Sequence, residues 1–509
     1  MFGRVDTSAI VGIEGRRVIV EADYGQGLPA FDMVGFLGSE VREARERVRS
    51  ALKNTGIPVP PGRLTVNLSP ADLRKTGNSF DLPVAIAIMT ALGILPQEVT
   101  ERCSFVGELS LDGGLRGISG VLSHVILARE LGKECCVVPR ENRKEGTAIS
   151  GIRTLGFSSL QEVMQFLLTG EHEDAAPEAP SAEKPPERVP DFSEILGQES
   201  VKRAAAVASA GMHGLLMIGP PGTGKTLTAK RIPTILPPLT ENERIECSRI
   251  HSVAGLLDPS EGLLKMRPFR SPHHTVSASA LVGGGVIPHP GEMSLAHNGV
   301  LFLDELPEFP KSVLEVMRQP LEDHVVVISR VHGSYRFPTR VMLVCAMNPC
   351  RCGYFPDRTR CKCSEAEVHQ YLSRLSRPLL DRIDIACEVP RVDIRKLQDE
   401  GFSGKDSAAL RSSVVRAWEI QKDRYRGTGI LFNSQLEGRE IRKFCALGKE
   451  ERDLLTEAFE KLELSARAHD RILKVARTAA DIDGEERIGT AHLAEAVSYR
   501  AADRKFFGG

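Results

Sequence analysis

The chain has 509 residues, 41% of them hydrophobic and 26% charged, with a formal net charge of −1. That length suits roughly three domains, and the ordinary apolar content excludes a chain that is disordered throughout. The near-zero charge excludes a globally basic nucleic-acid binder, so any grip on a polyanion must come from local patches. Residues 1–168 read as an independent α+β domain, with strands predicted at 19–22, 64–68 and 105–111 and helices at 41–54 and 82–92. Residues 169–190 are rich in Pro, Ala and Glu with almost no large apolar side chain, the composition of an extended, solvated linker. From 191 to 392, strand, loop and helix alternate in the doubly wound α/β manner. From 393 to 509 the apolar residues recur at three- and four-residue spacing, which predicts an all-α domain. No charged-then-apolar leader and no bilayer-length apolar run is present, which predicts a cytoplasmic protein without a membrane partner.

In the middle domain Gly219, Pro220, Pro221, Gly222, Thr223, Gly224, Lys225 and Thr226 satisfy every fixed position of G-x-x-x-x-G-K-[ST]. The apolar run 215–218 before them reads as a buried strand and 227–232 after them as the start of a helix, the context this phosphate loop needs. Glycines let backbone N–H groups turn inward around phosphates, Lys225 reaches the β- and γ-phosphates, and the Thr226 hydroxyl can ligate Mg²⁺. ATP and Mg²⁺ are therefore the expected cofactors. Residues 299–303 form a second apolar strand that ends in Asp304 and Glu305. Asp304 would hold the Mg²⁺ through its shell, and Glu305 would orient and activate the attacking water. A third strand, 341–346, delivers Asn348 to its carboxyl end, where ligands gather in open parallel sheets. There Asn348 can hydrogen-bond the water or the γ-phosphate, the alternative being a turn residue before Pro349.

The segments GPPGTGKT, FRSPHHTVSASALVGGG, GVLFLDE, AMNPCRCG and LLDRIDI, in this order and spacing, resemble the AAA+ ATPases of the magnesium-chelatase-like family. Within it they resemble the YifB/ComM branch, bacterial proteins associated with natural transformation. The resemblance covers essentially the whole chain, and FRSPHHT and MNPCRCG discriminate far better than the phosphate loop. It implies a homo-hexameric ring that drives branch migration on single-stranded or branched DNA. It also implies a Lon-protease-like, ribosomal-S5-type fold for residues 1–168 and a helical lid of the magnesium-chelatase C-terminal type for 393–509. The family's arginine finger falls on Arg382, with Arg374 and Arg377 as nearby alternatives, and such a finger is worth about 10³–10⁵ in rate. Arg467 in LSARA matches the sensor-2 pattern, an arginine reaching the γ-phosphate of its own subunit. Surface salt-bridging is the alternative role for each of these arginines. A Lon-type peptidase needs a nucleophilic Ser and a Lys base. The alignable positions are Ser79 or Phe80 and Leu122, so the first domain is expected to be peptidase-inactive, a scaffold or DNA-binding accessory.

The eleven cysteines are expected as thiols or metal ligands, not disulfides, in a reducing compartment. Cys350, Cys352, Cys361 and Cys363 flank a turn-forming GYFPDRTR and suit a tetrahedral structural Zn²⁺, although the one-residue spacing within each pair leaves free thiols or another metal as alternatives. Cys103, Cys247, Cys345 and Cys387 lie in apolar surroundings and read as small core residues. Residues 325–329 and 335–338 read as a hairpin whose tip carries Arg330 and His332. The resemblance points that tip into the ring channel, as a DNA contact. The Gly283–Gly284–Gly285 run reads as a mobile loop, and the preceding His273–His274 pair as structural or nucleotide-coupled rather than metal-binding. Two other functions fit the motor core. One is a chelatase-like motor that remodels a protein or inserts a metal; the other is a nucleotide-gated scaffold, against which intact Lys225, Asp304, Glu305 and Asn348 argue.

Overall fold

The computed structural model describes residues 1–172, 190–258, 261–331, 333–391, 406–462 and 464–507. Most of the predicted linker, His332 and the start of the predicted lid, 393–405, lie outside the described residues. The N-terminal unit is a seven-stranded mixed sheet in the order Ala30–Val34, Arg63–Ser69, Glu14–Gly25, Phe2–Val11, Cys103–Phe105, Cys135–Pro139, Arg153–Phe157. Its axis is the antiparallel pair Phe2–Val11 and Glu14–Gly25, in register from Phe2↔Asp23 to Val11↔Glu14. That register aligns Val18, Val20 and Ala22 on one buried face, the period-2 pattern of a half-covered strand. The helix Asp81–Ala91 is apolar all round and buried along its whole length. The predicted strand at 105–111 is instead two pieces. The chain leaves the sheet after Phe105 because Gly107 exchanges backbone hydrogen bonds with Ser79 and Leu82, and Glu108–Leu109 then pairs with Leu115–Arg116.

The cysteine expectation needs one correction. Cys103 and Cys135 are directly paired residues on neighbouring parallel strands, with Cα atoms 4.8 Å apart, and they form a disulfide. Strand order, not sequence spacing, brings them together across 32 residues. Cys247, Cys345 and Cys387 are buried free thiols, as expected of core residues.

The middle domain is a five-stranded sheet in the order Phe269–Arg270, Val300–Leu303, Met342–Met347, Leu215–Ile218, Ile385–Glu388, and every ladder in it is parallel. Helices cover both faces, so these strands are near-continuous apolar runs rather than alternating ones. Because all five run the same way, the residues that follow Ile218, Leu303 and Met347 emerge side by side at one end. Residues 381–384, which precede Ile385, lie at the other.

The C-terminal helices include Ser407–Arg424, Gly438–Phe444, Lys449–Leu462, Ala466–Asp483 and Thr490–Phe507. They are locked to the sheet by polar contacts as well as by apolar packing. Fully buried His213 joins Asp384 at 2.9 Å through Nδ1 and Thr478 at 2.7 Å through Nε2. The Arg203 guanidinium meets Asp483 at 2.8 Å and Glu495 at 3.0 Å. The N-terminal domain docks on the helix Glu241–Val253, where Arg249 donates to the Ile13 carbonyl at 3.0 Å and Gly120 N–H to the Ser252 carbonyl at 3.1 Å. Buried Glu145 accepts from the Ser252 hydroxyl and from Leu122 N–H, and burial pushes its carboxyl above the usual range. No helix among the described residues is long and apolar enough to cross a membrane.

Gly299 sets the start of the strand that carries the two carboxylates, because a Cβ there would lie 2.1 Å from the Pro268 carbonyl oxygen. That obstacle is backbone, so a Gly299→Ala chain must part the two strands. A loss of about 1–3 kcal/mol is expected, read by calorimetry as a drop of several degrees in the first thermal transition. An unchanged transition would show that the 268–270 edge yields freely.

Candidate nucleotide site

The strand Leu215–Ile218 is wholly buried, and the chain turns out of it through Gly222 and Gly224 at φ +74° and +85°, values that L side chains rarely adopt. The helix Lys225–Ile235 follows at once, so its first N–H groups face the loop. Lys225 is 9% exposed and donates from Nζ to the Gly219 carbonyl at 2.7 Å, the Pro220 carbonyl at 2.8 Å and Asn348 Oδ1 at 3.1 Å. Burial pulls its ammonium down to about 8, opposed by the charges of Asp304 and Glu305. The Thr226 hydroxyl donates to Asp304 Oδ2 at 2.6 Å, and Asp304 Oδ1 accepts from Glu305 N–H at 2.9 Å. Two hard oxygen donors thus face each other beside the loop. Thr226 and Asp304 fit a divalent cation, which when bound would polarise the phosphate oxygens. Glu305 sits at φ +52°, a left-handed turn that lets its carboxylate project from the sheet end.

The structure therefore brings together residues 219–226, Asp304, Glu305 and Asn348. Two neighbours join them, of which Gln198 carried no sequence signal. Gln198, at φ +56°, donates from Nε2 to the Thr223 carbonyl at 2.9 Å and the Pro390 carbonyl at 3.0 Å, strapping the loop to the end of the last strand. His274 Nδ1 lies 3.6 Å from Glu305 Oε2, which places one member of the histidine pair beside this carboxylate.

The arginines lie elsewhere. Arg382 pairs with Glu322 at 2.5 Å, and Arg467 with Asp381 at 3.7 Å. Both groups sit at the amino end of the last strand, across the sheet from Lys225. The own-subunit reach expected of Arg467 is thus not what the structure has: the lid docks so that this helix start faces the far end. Arg374 caps the Pro307 carbonyl and Glu308, both at 3.1 Å, and Arg377 bonds the Phe507 carbonyl.

The four sulfurs of Cys350, Cys352, Cys361 and Cys363 all lie within 4.8 Å of one another. The pairs Cys350–Cys352, Cys350–Cys361 and Cys352–Cys361 are 3.4, 3.7 and 3.5 Å apart, close to the roughly 3.8 Å edge of a tetrahedron with 2.3 Å Zn–S bonds. The cluster abuts the phosphate loop, since a Cβ on Gly353 would lie 2.4 Å from Pro221 Cδ. The hairpin is Val325–Arg330 against Gly333–Pro338, and Val331 at its tip is 95% exposed. Arg330 Nε donates to the Gly285 carbonyl at 3.2 Å. The glycine run is not a free loop: Gly283 and Gly284 pair antiparallel with Pro290 and His289.

Three family models tile the chain: "Subunit ChlI of Mg-chelatase" over residues 20–142, "Magnesium chelatase, subunit ChlI" over 191–397 and "Magnesium chelatase, subunit ChlI C-terminal" over 404–500. The Competence protein ComM of Haemophilus influenzae is 43% identical over 505 residues, which cover 98% of this chain and 97% of that protein. The chain belongs to the magnesium-chelatase-like AAA+ family, in its YifB/ComM branch. The Uncharacterized protein YifB of Escherichia coli is 42% identical over 505 residues, with the same coverage. The Magnesium-chelatase 38 kDa subunit of Cereibacter sphaeroides is 22% identical over 339 residues, 62% of this chain and 91% of that protein. ATP binding with Mg²⁺, and ATPase activity in general, go with membership of this AAA+ family.

The residue roles inside the site are open to direct test. Lys225→Ala removes a phosphate contact and is expected to abolish both nucleotide binding and turnover. Glu305→Gln keeps the phosphate contacts and is expected to bind ATP while losing turnover by about 10²-fold or more. Binding of a fluorescent ATP analogue and phosphate release check both, and normal hydrolysis by both variants would remove the assignment.

Proposed function

We propose that this chain is an ATP-driven DNA motor that works as a homo-hexamer in the cytoplasm. It would promote branch migration on single-stranded or branched DNA during recombination in natural transformation. One observation carries the reading: the phosphate loop and Arg382 occupy opposite ends of one parallel sheet. Even the four-residue strands between them span about 13 Å, so no single chain delivers both to one nucleotide. A second copy placed head to tail can do so, and a repeated head-to-tail contact closes into a ring. Arg382 would then act in trans, and Arg467, held to the adjacent Asp381, on the same side of the boundary.

The DNA part rests on the exposed hairpin tip. Six copies of Arg330 around a channel make a basic surface that no monomer of net charge −1 possesses. The relative named for competence points the same way. The first domain fits a Lon-like, S5-type accessory without peptidase activity, because Ser79 faces a cavity lined by Asn78, Glu108 and His124 but by no lysine, and Leu122 is buried. The four-cysteine cluster fits a structural Zn²⁺ that stiffens the wall behind the phosphate loop. The match to a magnesium-chelatase subunit favours a second reading, a motor that remodels a protein or inserts a metal.

DNA stimulation of the ATPase decides between the two readings. Forked or single-stranded DNA is expected to raise the rate, with little sequence preference and a steep loss as salt rises. Arg330→Glu is expected to bring the stimulation ratio down to about one and to stop junction unwinding, because the tip grips phosphates. A parent that neither binds nor unwinds DNA hands the function to the chelatase-like reading.

Metal analysis tests the cluster. Protein purified without chelators is expected to carry about one Zn²⁺ per chain, and a Cys350→Ser/Cys352→Ser double variant to lose it, since two thiolates leave an incomplete shell. Zinc-free parent protein would rule the site out.

A further inference from the structure

At the amino end of the nucleotide-site sheet lies a cavity of about 180 Å³, lined by Arg340, Arg382, Arg471, Lys474 and His324. Arg471 is 7% exposed and its Nη1 has no hydrogen-bond partner. The Nε of Arg340 is likewise buried and unpartnered. Such groups are rare in folded proteins and point to something that completes them. The carboxylates on the same wall leave both orphan nitrogens unsatisfied. Asp381 meets Arg471 through Nη2 at 3.3 Å, Glu322 meets Arg382 at 2.5 Å and Asp384 is committed to His213 at 2.9 Å; Glu437 is the fourth. The cavity is too small for a nucleoside, but a phosphate group can enter, and its oxygens accept from several guanidinium donors at once.

The cavity also touches the hairpin at its root. His324 immediately precedes Val325–Arg330, Arg340 follows Gly333–Pro338, and Thr339 N–H donates to the His324 carbonyl at 2.8 Å to close the base. We propose that this cavity is a phosphate site for the terminal phosphate of the nucleotide held by the neighbouring subunit, with Arg471 and Arg340 contacting it beside Arg382. The inference rests on the ring reading above and adds two residues to it. Loss of that phosphate after hydrolysis in one subunit then alters what holds the hairpin base of the next, which ties nucleotide state to the position of Arg330.

The test uses full-length protein. Arg471→Ala is expected to keep its affinity for a fluorescent ATP analogue within about two-fold, because its own phosphate loop is intact, while kcat falls about ten-fold or more. ADP with aluminium fluoride is expected to stabilise rings of the parent but not of the variant. Mixing Arg471→Ala with Glu305→Gln subunits, whose cavities are intact, is expected to restore hydrolysis, and Arg471→Lys to retain part of kcat. Should Arg471→Ala fold poorly by its melting curve, Arg340→Gln is read in the same way.

Inorganic phosphate probes the cavity without a ring. It is expected to raise the melting midpoint of Lys225→Ala protein but not of the Lys225→Ala/Arg471→Ala double variant. Unchanged kcat in Arg471→Ala and Arg340→Gln overturns the proposal, and so does lost kcat that Glu305→Gln subunits fail to restore. Protection of the parent by a short oligonucleotide but not by ADP with aluminium fluoride, lost in Arg471→Ala, overturns the nucleotide as the source of the phosphate. If the ring reading itself fails, the sign is different: the parent stays monomeric with ADP and aluminium fluoride, and Arg382→Ala hydrolyses ATP as the parent does.

Discussion

The parallel register of five short strands is the constraint on which the rest of the molecule depends. A parallel sheet sorts its loops by direction, so whatever follows a strand lies at one end and whatever precedes it lies at the other. Gly219, Asp304 and Asn348 each follow a strand, and they meet around Lys225. Asp381 and Arg382 precede one, and they meet Glu322 and the lid helix Ala466–Asp483 instead. On the proposed reading, each chain carries one half of a phosphoryl-transfer site at each end of its sheet. Strand polarity separates the two groups, and it is the finger role proposed for Arg382 that turns this separation into a need for a second copy.

Lys225, Arg382 and Arg467 each have a local substitute for phosphate. Lys225 leans on two carbonyls and Asn348, Arg382 on Glu322, Arg467 on Asp381. A buried cation such as Lys225 would carry its full desolvation cost without such partners, and its three acceptors offset that cost. Such contacts are also exchangeable, because a phosphate oxygen can take the place of a carbonyl or carboxylate without changing the donor. Arg471 Nη1 and Arg340 Nε stand apart in lacking even a substitute.

What could be read from the sequence divides along a physical line. Residues 219–226, Asp304, Glu305 and Asn348 were legible because the chemistry fixes both their identity and their place at a strand end. The cysteine cluster was legible because its four members crowd into a short turn. Contacts decided by docking were not legible. The Cys103–Cys135 disulfide depends on which strands are neighbours, and the place of Arg467 on how the lid sits against the sheet. Arg471 reads as one more charged position in an amphipathic helix until the fold buries it to 7% exposure. The glycine run promised a loose loop by composition, yet its backbone pairs with His289 and Pro290, where a close approach excludes any side chain: a Cβ on Gly291 would lie 2.3 Å from Gly283 N.

The hairpin joins these halves mechanically. Its root borders the cavity of unsatisfied arginines, while its strands enclose a small apolar cluster of Val326, Ile328 and Phe337 against Ile13 from the first turn of the N-terminal domain. At that turn Gly12 leaves no room for a side chain, since a Cβ would lie 2.8 Å from the Arg336 carbonyl oxygen. A displacement of the hairpin must therefore either carry the N-terminal domain with it or open that cluster to water. Arg249 and Ser252 lie on the helix Glu241–Val253 and hold the first domain through the Ile13 carbonyl and Glu145, so carrying that domain along strips buried polar groups of their partners. Parting the hairpin from Ile13 leaves those bonds in place, so the first domain braces the hairpin strands against the core instead of riding with them.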